Sequence, residues 1–547
     1  DLEPKRQDLV AIDFKSLGVR QLGSIYEGLL EFKLRIANRK LAVVKEKGRE
    51  VYVPFADLEK KDQERAERQE RIKKKGQVYL ENDKHERKAT GSYYTPDHIV
   101  QYIVEHAVGP ILKEKFDAMR PKLREAQQKR RAFFDKQEAL RKQGLRTEPE
   151  SKAEFIGQEL VDELFNIKVL DMAMGSGHFL VEAVDYITDK TLDFLNGFPW
   201  NPVIAQLSRM RETILQEMDD QGITIDPKRL TDVNLLKRQV LKRCIYGVDI
   251  NPMAVELAKV SLWLDCFTLG APLSFLDHHL RYGNSLIGVT VDEVNKSIQS
   301  GQLSLLSGTR FEGMKQAVAG MIRIGELSDV TSAQVLESRR EYSRASDAMR
   351  PAKRLLDAYT SQWFGNTPTT SGHGKRKAQH NPALEFLRDG VSERWAQTPT
   401  STELAKDWKK VATTTGQASQ EKRFFHWELE FPEVFYGARA GTTQAIERLQ
   451  AAGFDAVIGN PPYVRVQELR QADPATAEFL GLRYRSAVKN FDVYLPFFEI
   501  GLSITKGQVS YIAPNKWFAT DYGEGLRRLV AEKRALARVV DFRDFQL

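Results

Sequence analysis

The sequence is poor in cysteine, with only Cys244 and Cys266 among its 547 residues. Two thiols in apolar segments cannot build a disulfide framework or a cysteine metal cluster, so a reducing cytoplasm is the expected setting. The sequence also lacks any run of ~18 uncharged apolar residues, which argues against an integral membrane protein. The first residues, Asp1 to Arg6, contain no apolar signal core, so export is not expected.

No charge of one sign dominates. Lys and Arg number 82 and Asp and Glu number 75, a net charge of +7, which favours a polyanionic partner without identifying nucleic acid. Hydrophobic residues make up 41 % and charged residues 29 % of the chain, which is typical of a soluble protein with a sizeable core. At about 150 residues per domain, the length predicts roughly three domains. The missing initiator methionine and the abrupt end at Asp544-Phe545-Gln546-Leu547 suggest a fragment of a longer protein.

The first part of the chain has a helical pattern. Apolar residues recur near helical spacing over residues 15–45, so we predict a helical N-terminal region. Residues 59–75 are highly charged, which is typical of a solvated helix or a connector rather than a DNA-binding arm. Residues 98–146 are again predicted to be helical and become very basic along their length. A solvated helix face is the simpler interpretation of these charges, and phosphate contact is the alternative.

From residue 168 onward, short β-rich runs alternate with helical segments. This alternation predicts an α/β fold with a parallel sheet and crossover helices. The predicted strands are residues 168–172, 245–250, 456–459 and 508–513, and the predicted helices are residues 177–192 and 252–268. Between about residues 291 and 422 the pattern gives way to polar helices and loops. Residues 366–377 and 397–420 are rich in Thr, Ser, Gly and Gln and are expected to be mobile.

A glycine turn follows the first of these strands. From Val169 the chain reads Val-Leu-Asp-Met-Ala-Met-Gly-Ser-Gly-His-Phe-Leu, which predicts a strand, a turn and the start of a helix. Gly175 and Gly177 let the backbone approach a ligand at the helix N-terminus without a Cβ in the way. The third glycine of the dinucleotide fingerprint is missing. A nucleotide-type cofactor site and a tight structural turn therefore both remain open at this point.

The second strand ends in an acidic residue. Asp249 precedes a helix directly, and a carboxylate at such a strand end can accept hydrogen bonds from both ribose hydroxyls. The alternative role is a helix N-cap, although Asn251 could fill it instead. Asp249 lies 78 positions after Asp171, so an inserted helical hairpin at about residues 192–238 must separate the two strands if they are neighbours. At a third strand end, the Asn284 amide could face an adenine edge.

The most informative stretch is Asn460-Pro461-Pro462-Tyr463, which follows an apolar strand. Two consecutive prolines stiffen the backbone and remove two N–H donors, so the local carbonyls point outward. The Asn460 side-chain oxygen and the Pro461 carbonyl can then both accept from one exocyclic amine. Tyr463 offers a flat face on which a base can stack. The pattern indicates a reaction in which an amide-like or aromatic amine becomes the nucleophile.

In these motifs and their order, the chain resembles the amino-methylating, S-adenosylmethionine-dependent DNA methyltransferases. It is similar in particular to the large adenine-N6 enzymes of gamma motif order found in type IIG restriction–modification proteins and in BREX and DISARM phage-defence systems. The resemblance covers most of the chain. The segments that carry it are residues 24–31, 88–96, 171–177, 249, 283–286, 425–432, 460–463, 490–494 and 511–517.

This resemblance implies a Rossmann-like class I methyltransferase sheet with an N-terminal helical domain and a large, partly flexible helical insertion. The implied domains are a helical region (1–85), a cofactor-binding half (86–290), a polar helical insertion (291–422) and a catalytic half (423–547). The catalytic half is expected to be truncated at its C-terminal side.

The resemblance also implies S-adenosyl-L-methionine as the cofactor, no metal, and a target base flipped out of double-stranded DNA. The implied cofactor-binding residues are Tyr94, Thr95, Pro96, Asp171, Met172, Gly175, Gly177, Asp249, Ile250, Asn284 and Leu286. Many relatives have Asp where Asn284 stands, but an amide oxygen can still accept from an amine. The implied target-base pocket consists of Asn460, Pro461, Pro462 and Tyr463. Other phage-defence subunits are possible partners, and a prokaryotic cytoplasm is the implied location.

Two other functions share part of this pattern. Enzymes that methylate a glutamine amide in protein or guanine amines in RNA use the same Asn-Pro-Pro-Tyr chemistry, but they are usually much shorter and lack the insertion at 291–422. A defence subunit that senses DNA or cofactor without turnover is the second alternative, and the intact Asn460 and Tyr463 argue against it. Residues 1–80 contain no convincing acidic pair with a nearby Glu-x-Lys, so DNA cleavage is not predicted.

Overall fold

A computed structural model describes most of the chain. The described residues are 32–46, 49–58, 60–69, 71–82, 95–298, 309–371, 378–399, 404–438 and 446–542. The motif at 24–31 and Tyr94 lie outside these residues, whereas Thr95 and Pro96 lie within them.

Fourteen strands are assigned in the described residues. They are β1 (Phe32–Ile36), β2 (Leu41–Glu46), β3 (Arg49–Pro54), β4 (Ile72–Lys73), β5 (Val78–Asn82), β6 (Val169–Asp171), β7 (Ile245–Asp249), β8 (Leu280–Tyr282), β9 (Thr369–Ser371), β10 (Ala378–His380), β11 (Tyr436–Ala438), β12 (Ile446–Arg448), β13 (Phe454–Gly459) and β14 (Thr505–Tyr511).

The α-helices of the described residues run from Lys60 to Lys533. They are α1 (Lys60–Arg68), α2 (Asp97–Lys142), α3 (Gln158–Phe165), α4 (His178–Leu195), α5 (Pro202–Asp220), α6 (Asp232–Cys244), α7 (Pro252–Asp265), α8 (Val291–Ile298), α9 (Thr309–Glu326), α10 (Ser332–Thr360), α11 (Pro382–Arg388), α12 (Val391–Gln397), α13 (Lys406–Lys422), α14 (Trp427–Glu430), α15 (Pro432–Phe435), α16 (Val466–Ala472), α17 (Pro474–Arg483), α18 (Tyr494–Ile504) and α19 (Glu524–Lys533).

A five-stranded parallel sheet lies at the centre, with the strand order β14-β13-β6-β7-β8. The predicted parallel α/β sheet is therefore confirmed. The chain adds β7 and β8 on one side of β6, then returns to add β13 and β14 on the other side. The order thus reverses between β6 and β13, and such a switch point opens a ligand crevice at the carboxyl ends of the strands.

The three middle strands of the sheet, β6, β7 and β13, are buried on both faces. All three residues of β6 are buried, as are nearly all residues of β7 and β13. Strands buried on both faces have continuous apolar sequences rather than alternating ones, and this feature made them recognisable. Between β6 and β7 the chain forms α4, α5 and α6. The side chains of Asn201 and Thr231 cap the starts of α5 and α6 by accepting from backbone N–H groups.

The prediction of a helical N-terminal region is wrong over residues 32–36, 41–46 and 49–54, which form β1, β2 and β3. β2 pairs antiparallel with β3, placing Val43 opposite Tyr52 and Val44 opposite Val51. β-Branched and aromatic residues favour such cross-strand pairs. The spacing of apolar residues within one segment does not show whether another strand can pair with it. Here the pairing of β2 with β3 decided the structure, and the helical spacing did not. The solvated helix expected within residues 59–75 is present as α1.

The described parts of the region between residues 291 and 422 form mainly the helices α8 to α13 and are less irregular than expected. Of the two segments expected to be mobile, residues 372–377 and 400–403 lie outside the described residues. The expectation of mobility at residues 397–420 is wrong for its second part, because α13 begins at Lys406. Val411, Ala412, Thr415 and Ala418 are buried, and their helical spacing was hidden within a Thr- and Gly-rich composition. Leu356 and Phe386, both 0 % exposed, belong to the same apolar cluster as residues of β6 and β7.

A buried ion pair also joins this region to the sheet layer. Lys242 at the end of α6 lies 2.5 Å from the carboxylate of Asp329, and the two side chains are 1 % and 0 % exposed. Burial lowers the pKa of Lys242 to about 8, and the negative charge of Asp329 opposes that shift. Removing one partner of such a pair would leave an unpaired charge in the interior, which is strongly destabilising.

The long helix predicted over residues 98–146 is confirmed as α2. Lys115 donates to the carbonyl of Asn166 at 3.2 Å, near the amino end of β6. With 1.5 Å of rise per residue, Lys142 lies about 40 Å further along the helix. The basic half of α2 therefore extends away from the carboxyl edge of the sheet. The ion pairs Glu125–Lys129 and Glu138–Lys142 fit the simpler interpretation of a solvated face.

Three features of the described residues bear on the compositional analysis. Cys244 and Cys266 are both buried and free. Within the described ranges, no helix combines the length and apolar character needed to cross a membrane. In the same ranges, no group of three or more His, Cys, Asp or Glu side chains is arranged to hold a metal ion.

Candidate active site

The candidate site lies at the switch point of the sheet. Asp171 ends β6, Asp249 ends β7 and Gly459 ends β13, and parallel pairing brings these ends to one edge. Asn460 follows Gly459 directly. The two motifs that the sequence marked for a cofactor and for a target amine thus occupy adjacent strand ends.

The two glycines of the turn are needed for different reasons. Gly175 and Gly177 both have left-handed backbones, with φ of +53° and +84°, which glycine adopts without strain. A Cβ on Gly177 would lie 3.2 Å from the Cβ of Ala258, so this glycine lets α4 pack closely on α7. A Cβ on Gly175 would meet nothing within 4 Å. The open space beside Gly175 lies at the start of α4, where unpaired N–H groups favour an anionic ligand group.

Asp171 provides a buried carboxyl group at the end of β6, in the turn that leads to Gly175. The residue is 1 % exposed, and its Oδ1 accepts from the Ala173 N–H at 3.0 Å. Its Oδ2 is buried and has no hydrogen-bond partner among the described residues. Burial raises the pKa of Asp171 to about 7, against the lowering effect of the Ala173 hydrogen bond. A buried carboxylate oxygen without a partner needs a donor, and the ammonium group of an amino-acid ligand would supply one.

Asp249 links the second strand to the glycine turn. Its Oδ2 accepts from the Gly175 N–H at 2.9 Å, and its Oδ1 accepts from the Asn251 N–H at 2.8 Å. Burial raises the pKa of Asp249, and these backbone hydrogen bonds oppose the shift. The N-cap of α7 is Asn251, whose Oδ1 accepts from the Met253 N–H at 2.9 Å. The helix-cap alternative for Asp249 is therefore wrong.

Asn284, expected at the cofactor adenine, and the other expected cofactor residues Met172, Ile250 and Leu286 lie in different environments. The Asn284 side-chain oxygen accepts from the Leu286 N–H at 3.1 Å, within its own turn. Ile250 is 45 % exposed, whereas Leu286 and Met172 are 4 % and 2 % exposed and belong to the core. The carbonyl of Met172 accepts from the Ser285 hydroxyl at 2.6 Å. This contact joins the glycine turn to the loop after β8.

The stretch from Asn460 to Tyr463, the expected target-base pocket, is held by residues from other segments. The Asn460 amide nitrogen donates to Thr95 Oγ1 at 3.1 Å. The Tyr463 hydroxyl donates to the Ile512 carbonyl at 3.1 Å, which fixes the ring beside the end of β14. Burial raises the pKa of Tyr463, so the hydroxyl stays protonated at neutral pH. Pro461 is buried and Pro462 is half-buried.

Gly459 is a residue of the site that the sequence analysis missed. Its φ is +143°, and a Cβ at this position would lie 2.6 Å from Asp171 Oδ1. The glycine thus lets the backbone that leads into Asn460 lie against the Asp171 carboxyl. The sequence feature that could have identified Gly459 as a site residue is its position directly before Asn460. The contacts of Thr95 and Ile512 with the motif had no such signal, since they join distant parts of the chain.

These features test whether the residues fit S-adenosylmethionine. The buried Asp171 oxygen without a partner and the open space at Gly175 suit the amino-acid end of that molecule. The Asp249 carboxylate at the neighbouring strand end suits a ribose. The residues present therefore fit the cofactor.

Comparison with known proteins points to the same chemistry. Residues 243–547 match the family of the Eco57I restriction-modification methylase. A putative type II restriction enzyme and methyltransferase of Methanocaldococcus jannaschii, RM.MjaORFECS2P, is 24 % identical over 477 residues, 83 % of this chain and 34 % of that protein. The type II methyltransferase M.PaeR7I of Pseudomonas aeruginosa is 42 % identical over 93 residues, 17 % of this chain and 16 % of that protein.

A further relative is the type II restriction enzyme and methyltransferase RM.Eco57I of Escherichia coli, 33 % identical over 96 residues, 17 % of this chain and 10 % of that protein. The alignments thus span about a third or less of these curated relatives. The family match covers more than half of the chain and includes Asp249, Asn284 and the stretch from Asn460 to Tyr463. On this match, the chain belongs to the Eco57I restriction-modification methylase family.

Proposed function

We propose that this chain transfers the methyl group of S-adenosylmethionine to the N6 amine of adenine in double-stranded DNA. We further propose that it is the methyltransferase part of a restriction–modification protein. The observation that carries the proposal is the contact at Gly459, where the strand entering the amine-binding motif lies against the Asp171 carboxyl of the cofactor turn. Donor and acceptor sites on adjacent strand ends are what a direct transfer between two bound molecules requires.

The cofactor half of the proposed site binds by charge and by backbone groups. Asp171 would accept from the ammonium group, and Asp249 would accept from the ribose hydroxyls. The start of α4 would face the carboxylate, where backbone N–H groups favour an anion. When bound, S-adenosylmethionine supplies an electrophilic methyl group on its sulfonium. The role of these residues is to hold that methyl group towards Asn460.

The catalytic half would bind a base that has left the helix. Flipping costs a few kcal/mol, and stacking on Tyr463 would offset about 1–3 kcal/mol of that cost. The Asn460 side-chain oxygen and the Pro461 carbonyl would accept from the exocyclic amine. Two acceptors favour a pyramidal nitrogen whose lone pair points at the methyl group, so positioning supplies much of the acceleration.

Two lines of support favour DNA adenine over other amines. The relatives are named as restriction enzymes and methyltransferases of type II systems, and a restriction–modification system acts on DNA. The chain also resembles adenine-N6 enzymes in the order of its motifs, from the glycine turn through Asp249 to Asn460.

A nucleoside assay tests the proposal directly. The intact protein is incubated with duplex DNA and S-adenosylmethionine carrying a labelled methyl group, and the DNA is digested and analysed by mass spectrometry. We expect label in N6-methyldeoxyadenosine, and none when Asn460→Ala replaces the wild type. Label in N4-methyldeoxycytidine would correct the target base. Label in protein or RNA but not in DNA would contradict the proposal.

A further inference from the structure

Thr95 contacts the catalytic motif although it lies 365 positions away from Asn460 in the chain. The Asn460 Nδ2 donates to Thr95 Oγ1 at 3.1 Å, and Thr95 is 5 % exposed. The sequence resemblance implied that Thr95 is one of the cofactor-binding residues. In the structure its hydroxyl accepts instead from Asn460, on the target-amine side.

The contact matters because an asparagine amide has two chemically different ends. Its nitrogen only donates and its oxygen only accepts, while the amine of a target base needs an acceptor. A half-turn of the amide would exchange the two ends and present donors to the amine. In the structure Nδ2 donates to Thr95 Oγ1, so the nitrogen end of the amide lies towards Thr95 and the oxygen end lies away from it.

Thr95 is itself held firmly in place. The next residue, Pro96, accepts at its carbonyl from the N–H groups of Ile99 and Val100, at 2.9 and 3.2 Å, which starts α2. Asp97 lies 3.2 Å from the His178 Nε2 at the start of α4. The segment that carries Thr95 is thereby connected to the glycine turn as well as to Asn460.

We propose that Thr95 is a positioning residue for methyl transfer, which fixes the Asn460 amide so that its oxygen is presented to the amine of the target base. The inference rests on the proposed function, since it assigns a role within that reaction. Thr95 acts through Asn460. Its loss should therefore reduce the rate of transfer more than it reduces the affinity for the cofactor.

Three variants of the intact protein separate this role from a packing role. Thr95→Val keeps the shape and removes the hydroxyl, and Thr95→Ser keeps the hydroxyl. Thr188→Val makes the same chemical change at a buried threonine of α4 whose hydroxyl has no hydrogen-bond partner among the described residues. For each variant we would measure the single-turnover transfer rate on DNA, the dissociation constant for S-adenosylmethionine, and the melting temperature.

We expect Thr95→Val to transfer methyl about fivefold to tenfold more slowly, the worth of one ordinary hydrogen bond. Its affinity for S-adenosylmethionine should stay within about twofold of the wild type, and Thr95→Ser should recover most of the rate. Thr188→Val should leave the rate unchanged. The inference is overturned if Thr95→Val transfers as fast as the wild type, if Thr95→Ser is as slow as Thr95→Val, or if rate, affinity and melting temperature fall together. A wild-type protein without transfer activity would overturn the proposed function, and the inference with it.

Discussion

The two halves of the proposed site are held in place by different kinds of contact. The cofactor half depends on glycine conformations, on Asp171 and on the hydrogen bond from the Gly175 N–H to Asp249, all within the β6–β7 unit. The catalytic half depends on Thr95, which is 365 positions from Asn460, and on Ile512, which is 49 positions from Tyr463. These contacts of the cofactor half lie between β6 and β7, although Gly175 and Asp249 are 74 positions apart. The orientation of the catalytic half is instead set by residues outside its own strand, Thr95 before α2 and Ile512 after β14.

The largest expected effect separates the two halves cleanly. Asn460→Ala should reduce methyl transfer by at least about a hundredfold, as removal of a transition-state hydrogen-bonding group does. Binding of S-adenosylmethionine should remain nearly intact, because the turn at Gly175 and the carboxylate of Asp249 do not depend on the Asn460 amide. Single-turnover kinetics and calorimetry on the same preparation check both expectations. Lost cofactor affinity in this variant would contradict the separation of roles.

A substitution at the junction should damage both halves together. In Gly459→Ala, the added Cβ would lie 2.6 Å from Asp171 Oδ1, and the backbone has a φ of +143°. Overpacking of this kind costs about 1–3 kcal/mol, so transfer, cofactor affinity and melting temperature should all decrease. Gly416→Ala is the matched control, because a Cβ at this position of α13 meets nothing within 4 Å. Full cofactor affinity in Gly459→Ala would show that the halves do not meet there.

Asp249→Ala tests the cofactor half alone. The variant loses an acceptor for ribose and also the acceptor for the Gly175 N–H. Since hydrogen bonds to an ionised group are worth about 1.5–3 kcal/mol, affinity for S-adenosylmethionine should fall at least tenfold. Asn251→Ala is the control, because it removes the N-cap of α7 and should lower stability by about 1 kcal/mol with little change in affinity. Equal affinities in the two variants would reject the ribose role of Asp249.

The smallest expected effect is a pH dependence that arises from Asp171. Its pKa is raised to about 7 by burial, so the carboxylate is protonated below that pH and cannot pair with an ammonium group. Affinity for S-adenosylmethionine should therefore increase as the pH rises from 5.5 to 7, by up to about tenfold per pH unit. Isothermal titration across this range measures the slope, and Asp171→Asn should bind weakly with no slope in this range.

The same raised pKa predicts how the stability of the cofactor-free protein varies with pH. Between pH 4 and pH 7 the folded state keeps a proton on Asp171 that the unfolded state loses, so this residue destabilises the fold increasingly as pH rises. Asp171→Asn keeps the shape without the charge and should melt at a higher temperature than the wild type at pH 8. An unchanged melting temperature would contradict this cost of burial.

The sequence predictions were accurate where the signal lies within a few consecutive residues, and they failed where the structure depends on other parts of the chain. β6, β7 and β13 were predicted close to their observed bounds, because each is a short apolar run. The glycine turn and the Asn-Pro-Pro-Tyr stretch were recognisable because their chemistry lies within a few consecutive residues. In contrast, β2 appeared helical, because the spacing of apolar residues in β2 does not reveal that β3 pairs with it. α13 appeared to be a loop because its composition concealed four buried positions at helical spacing.

The sequence by itself determined which chemical groups this protein brings to the site, in motifs whose residues are neighbours in the chain. Asp171, Asp249 and Asn460 could be selected because each follows an apolar strand, and parallel strands place such residues at one edge. Only the tertiary structure decided how these groups are oriented. The hydrogen bond between Thr95 and Asn460, the contact between Gly459 and Asp171, and the ion pair between Lys242 and Asp329 join residues far apart in sequence. Such contacts depend on the packing of whole elements, which no local pattern of residues records.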